Sequence, residues 1–161
     1  MIPAAVASGL VARWAHYYSD NKNVSAAVTF LHLSGILLGG GLAVAADRAT
    51  LRLAPTGDRR RELAELAAVH RAVLAGLAVT LVSGLLMMFA DLDTYLGSAV
   101  FWTKMGLIVI LLVNGGFRWR AERGVRDARP GAEVWLKRTS VSSLALWFAV
   151  LLAGTMLTTI S

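Results

Sequence analysis

The sequence predicts an all-α protein, a four-helix transmembrane bundle preceded by a short interfacial helix. Composition is the first observation: 57% of the 161 residues are hydrophobic, 16% are charged and the mean hydropathy is +0.62. Soluble domains carry closer to ~25% charge. The second is a set of four apolar stretches, 24–46, 66–90, 99–117 and 141–160. Each is long enough, or nearly so, to cross a hydrocarbon core of ~30 Å at ~1.5 Å per residue. The third is that the segments joining them alternate between strongly basic and free of basic residues. One integral membrane domain covering residues 1–161 is expected.

Before the first span, residues 4–20 place Val6, Leu10, Trp14 and Tyr17 along one side of a helix, with Arg13, His16 and Asp20 turned elsewhere. This pattern suits an amphipathic helix lying at headgroup level. The first residues have no basic n-region ahead of their apolar run and are read as retained. His16 falls nearly opposite Trp14 and faces water; it is a metal-ligand candidate that needs a facing partner.

The first span has no formal charge, and His32 is its only strongly polar side chain. An ionisable group within a membrane helix is a functional candidate, because hydrocarbon penalises it unless it is partnered. Gly35 and Gly39 share its helix face, bare backbone that suits either close helix packing or a flat ligand. Next comes a basic segment in which Pro55 and Gly57 mark a turn. The second span carries His70 and Arg71 near its start, the acidic connection DLDTYLGS follows, and the third span opens with Lys104 in its second turn. A second basic segment, broken at Pro130-Gly131, leads to the fourth span.

Five arginines (48, 52, 59, 60, 61) lie between spans one and two, and seven basic residues (118, 120, 123, 126, 129, 137, 138) lie between spans three and four. DLDTYLGS has none. The positive-inside rule makes both basic loops cytoplasmic and puts the termini outside. The net charge of +6 is therefore a topology signal. Split between two loops that each follow a hydrophobic span, with no aromatic stacking pattern, it does not describe a nucleic-acid surface. Arg71 can snorkel to the inner surface, where Trp119 and Trp135 suit an aromatic belt. The lipid bilayer of a bacterial-type inner membrane is the expected setting.

Counting depth from the outer boundaries gathers His32, Gly84, Lys104, Met87, Met88, Met105 and Met156 in the outer part of the bundle. His70 falls roughly 15 Å away, towards the inner end. With no cysteine in the chain, iron–sulfur clusters and thiolate zinc sites are excluded, and metal chemistry falls to histidine, with methionine, tyrosine or carboxylate beside it. Three readings of the outer cluster follow. Methionine can fill gaps in a packed core. One imidazole with thioethers suits Cu(I). An imidazole in a glycine-lined slot between helices suits haem, with Lys104 pairing a propionate, or else Asp91 or Asp93.

His32 with its following glycines, the charged stop Asp47-Arg48 and the run SGLLMMFADLDTYLGSAVFWTKMGL from Ser83 to Leu107 are similar to a group of small bacterial four-helix membrane proteins. More distantly they resemble the membrane domain of copper-resistance protein D and the HemJ-type protoporphyrinogen oxidase. The resemblance covers about residues 14–118 and is carried by His32, Gly84, Tyr95, Phe101 and Lys104. It implies haem b at the first-helix histidine, with a lysine at the position of Lys104, or copper handling by the bundle. The HemJ-type pattern has a tryptophan soon after its histidine, whereas Leu33, Ser34 and Gly35 stand here, a departure that bears on protoporphyrinogen oxidation more than on haem.

The leading expectation is a haem-b-binding protein with a redox or electron-transfer role. His32 is its axial ligand, Gly35, Gly39 and Gly84 give clearance for the ring, and Lys104 pairs a propionate. The second ligand is open between His16, Met87, Met105 and His32 of a second subunit. Copper binding or permeation through His32 and the methionines is the alternative, and a cofactor-free subunit of a homodimer or larger membrane complex is a third. No Ser–His–acid set, phosphate loop or paired-carboxylate motif supports hydrolase or nucleotide chemistry.

Overall fold

The computed structural model describes the backbone of residues 4–52 and 59–160, and the side chains of 9–52 and 69–159. Within these limits the chain is helical with no strand: α1 (Ala4–Asp20), α2 (Lys22–Arg52), α3 (Arg59–Ala90), α4 (Leu92–Gly97), α5 (Ala99–Arg126) and α6 (Ala132–Ile160). α2, α3, α5 and α6 are long and apolar enough to span a membrane. The turn expected at Pro55 and Gly57 lies outside the described residues.

Local chemistry sets the breaks between helices. Asn21 separates α1 from α2, its Oδ1 accepting from the Val24 amide at 3.2 Å. Asp91 caps α4 through the Thr94 amide, and Ser98 caps α5 through the Phe101 amide. DLDTYLGS, expected as a plain connection, therefore forms a short capped helix. At the other end, the expected break at Pro130-Gly131 is a tight turn in which Ala128 (φ 56°) and Gly131 (φ 75°) adopt left-handed backbone.

The helices run on beyond the apolar spans at the basic end. α2 continues past residue 46 to Arg52, α5 past 117 to Arg126, and α6 starts at Ala132 rather than near 141. Hydropathy marks only the apolar part of each helix, and charged residues in the added turns find partners between helices.

α2 packs closely on α3, α5 on α6, and α2 on α6, whereas α3 and α5 hardly touch. The bundle is therefore open along one side, between α3 and α5. α1 lies against α3 and α2, with Trp14 Nε1 donating to Leu86 O at 2.8 Å.

The α2–α3 contact depends on glycine. A Cβ on Gly35 would stand 2.7 Å from the Thr80 amide nitrogen and 2.8 Å from Gly76 O, and one on Gly76 would stand 2.6 Å from Gly39 Cα. Without side chains at these three positions the two backbones meet directly, the small-residue packing that holds membrane helices together when lipid tails remove any hydrophobic incentive.

Polarity is inverted relative to a water-soluble core. Phe30, Leu37, Leu81, Phe148 and Leu152 are more than half exposed, while Asp47, Thr50, Ser83, Thr139, Ser140 and Ser143 are buried. Apolar side chains facing outward and polar ones facing each other are stable only where the surroundings are hydrocarbon.

Candidate functional site

Two polar centres lie at different heights. The first surrounds His32, whose Nδ1 is 3.0 Å from Thr80 O and 3.1 Å from Ser83 Oγ on α3. A carbonyl can only accept, so Nδ1 carries the proton and donates. Ser83 donates its own hydroxyl hydrogen to Val79 O at 2.6 Å, which makes Ser83 a second acceptor for the imidazole. Nε2 meets no described protein group. The Gly84 backbone lies against this ring: a Cβ there would be 3.1 Å from His32 Cε1.

Lys104 is on α5, partly buried, near enough for its charge to act on the His32 imidazole. Its ammonium lies beside Gly154 of α6, 3.5 Å from where a Cβ would stand. Asp91 caps α4 and Asp93 sits in its first turn; among the described residues no acid and no hydrogen-bond acceptor pairs with Lys104.

The other residues expected at a cofactor site are distributed differently. Gly35 and Gly39 lie on the His32 face, but their open side is filled by the α3 backbone, so they serve helix packing and give no ring clearance there. Gly84 gives room to the imidazole itself. His16 is exposed on α1 with Nδ1 2.7 Å from Asp20 Oδ2, away from His32. Met87, one helical turn beyond Ser83 on α3, and Met105 are partly buried, and Met156 is exposed. Among the described residues no group of three or more histidine and acid side chains is gathered for a metal. Tyr95 on α4 is partly buried, and burial, followed by neighbouring Tyr18 and Asp91, holds its phenol above its usual range; it stays neutral at the end of the bundle opposite the basic loops.

The second centre is at the basic end and was not foreseen. Asp47, expected as part of a charged stop, is 1% exposed. Its Oδ1 is 2.9 Å from Arg118 Nε, and the Ser140 and Ser143 hydroxyls of α6 face the same carboxylate. Arg118 also places NH1 2.9 Å from Glu122 Oε1 and NH2 3.1 Å from Thr50 Oγ1. This network joins α2, α5 and α6 and borders a cleft of about 320 Å³ between α3 and α5, lined also by His70, Trp119, Trp147, Gly115 and Gly116. His32 sits beside Thr80, ten residues along α3 from His70, which is about 15 Å of helix; the two histidines serve different centres.

Fold and centres together define a polytopic helical membrane protein with a half-buried imidazole in one half and a buried ion-pair network in the other. No family model, curated protein or solved structure matches the chain. The family resemblance therefore rests on its quoted motifs alone.

Proposed function

We propose that this protein binds haem b in the half of the bundle containing His32 and serves a redox or electron-transfer role. The observation that carries this reading is the state of His32: its Nδ1–H is tied to a backbone carbonyl and a serine oxygen while Nε2 has no described protein partner. Proteins fix a metal-ligating imidazole in this way, because the outer hydrogen bond sets the tautomer and makes the free nitrogen more basic. Lys104, a cation without an acidic partner at a similar depth, suits a propionate. The open side between α3 and α5 is the available place for a planar group, since the glycine faces of α2 and α3 are closed on each other. The cleft at the basic end suits haem poorly, because its two carboxylates outnumber its one guanidinium and would repel propionates.

When bound, haem supplies one-electron chemistry at iron, with a potential set by its second ligand and by the dryness of the site. This chain's residues would hold it: His32 would bind the iron through Nε2, Thr80 and Ser83 fix the imidazole ring, and Lys104 would neutralise one propionate. Met87, Met105 or His32 of a second copy would supply the second ligand.

Haem titrated into protein from haem-starved cells is expected to give a saturable Soret increase at one, or one half, haem per chain. Lys104→Met is expected to weaken retention by about tenfold while leaving band positions unchanged, since it alters a propionate contact and no ligand. A non-saturable titration, the mark of nonspecific partition into detergent, contradicts the reading.

The protein sits in a plasma membrane with both basic loops cytoplasmic and α4 outside. Cysteines introduced at Gly57 and Arg126 should be shielded from an impermeant thiol reagent in intact cells, and one at Thr94 should be labelled. The reverse pattern contradicts this orientation.

A further inference from the structure

We propose that the cleft between α3 and α5 at the basic end is a binding site for a lipophilic organic cation, an ammonium-type head on an apolar body. The inference does not rest on the haem reading: the charged end of the cleft, at the level of His70, lies about 15 Å along α3 from Thr80.

Charge points to a cation. Asp47 and Glu122 contribute two carboxylates, and Arg118 is the one lysine or arginine among the lining residues. Arg118 is held between the two acids, Nε 2.9 Å from Asp47 and NH1 2.9 Å from Glu122, while NH2 donates to Thr50 at 3.1 Å. Each carboxylate oxygen can accept more than one donor. Glu122, with its side chain 11% exposed, has Arg118 as its one described ion-pair partner. Two carboxylates face one guanidinium here, and an incoming cation would balance the second when both are ionised.

Shape points to an apolar body. Val73, Leu77, Leu111 and Leu112 line the cleft together with Trp147, and an indole face adds attraction for a cation placed against it. Its volume of about 320 Å³ is at the small end of the range for small-molecule pockets.

The glycines argue that the space is built. Gly115 and Gly116 lie mid-helix in α5, where glycine weakens a helix relative to alanine. Unlike Gly35, Gly39 and Gly76, they gain no packing in return, since a Cβ at either would meet nothing within 4 Å. Both line the cleft and leave it open on that side.

The test uses full-length protein in mild detergent, with and without His32→Ala, titrated by calorimetry and tryptophan fluorescence. The probes are benzyltrimethylammonium, its uncharged carbon isostere neopentylbenzene, and benzenesulfonate. The ammonium is expected to saturate at one per chain with at least about tenfold tighter binding than the isostere. Glu122→Gln should remove that preference and leave the isostere's binding unchanged. Gly115→Leu should abolish binding of both by filling the space without touching a charge, and Gly116→Leu replaces it should that variant aggregate. Equal binding of the ammonium and the isostere, tighter binding of the sulfonate, or wild-type binding by both variants overturns the proposal. Binding that survives in His32→Ala protein separates this site from the haem centre.

Discussion

Arg118→Met is expected to destabilise the protein by about 3–5 kcal/mol, the usual effect of removing one partner from a buried ion pair. The size follows from what is left behind. Asp47 is 1% exposed and Glu122 is nearly as enclosed, so two carboxylates would remain in a low-dielectric setting without their shared cation. Thr50 would also lose the donor that now reaches its hydroxyl at 3.1 Å. Thermal unfolding in detergent should shift down on the order of 10 °C for a chain of this size. Arg120→Met, on the neighbouring exposed position, should change stability by no more than about 0.5 kcal/mol. Adding Asp47→Asn and Glu122→Gln to Arg118→Met should recover much of the loss, because the penalty belongs to the unpaired charges more than to a missing attraction. Wild-type stability of Arg118→Met would mean that water reaches these carboxylates and that the network holds nothing together.

The other large effect is expected at His32. His32→Ala should abolish the haem spectrum or convert it to a different spin state, because water cannot replace an axial imidazole unchanged. Fold is a separate readout, and the variant should keep its elution volume and helical content, since the α2–α3 contact rests on Gly35, Gly39 and Gly76. His70→Ala should leave the spectrum intact, as that side chain is exposed and borders the opposite cleft. Ser83→Ala is the intermediate case. It removes one acceptor at 3.1 Å while the Thr80 carbonyl remains at 3.0 Å, so haem should be retained with a shifted potential. Identical spectra for wild type and His32→Ala would reduce His32 to a packed histidine bonded to α3.

The four spanning helices were legible because hydrophobic run length is a one-dimensional signal. Their extension at the basic end was less so, since it depends on which charges find one another. One part of that network was nonetheless readable. Asp47 is the first charged residue past its apolar span and Arg118 the first past another, which sets them at one depth, and Glu122 follows Arg118 at i+4. Read separately, Asp47 is only a charged stop and Arg118 one of seven basic residues in a loop. The glycines carried the opposite ambiguity. Gly35 and Gly39 share a face with His32, a pattern common to ring clearance and helix packing, and only the position of Gly76 on α3 decides between them. Gly115 and Gly116 drew no notice, because a glycine pair in an apolar helix looks the same in sequence whether its space is filled or open. The partner of His32 was equally hidden: a backbone carbonyl such as that of Thr80 leaves no trace in the sequence.

The most direct test of the haem proposal is the absorption spectrum and iron content of the wild-type protein, purified in mild detergent from haem-replete cells. The account predicts a Soret band that responds to reduction by dithionite, with iron at one, or one half, per chain. A colourless, iron-free preparation would contradict it.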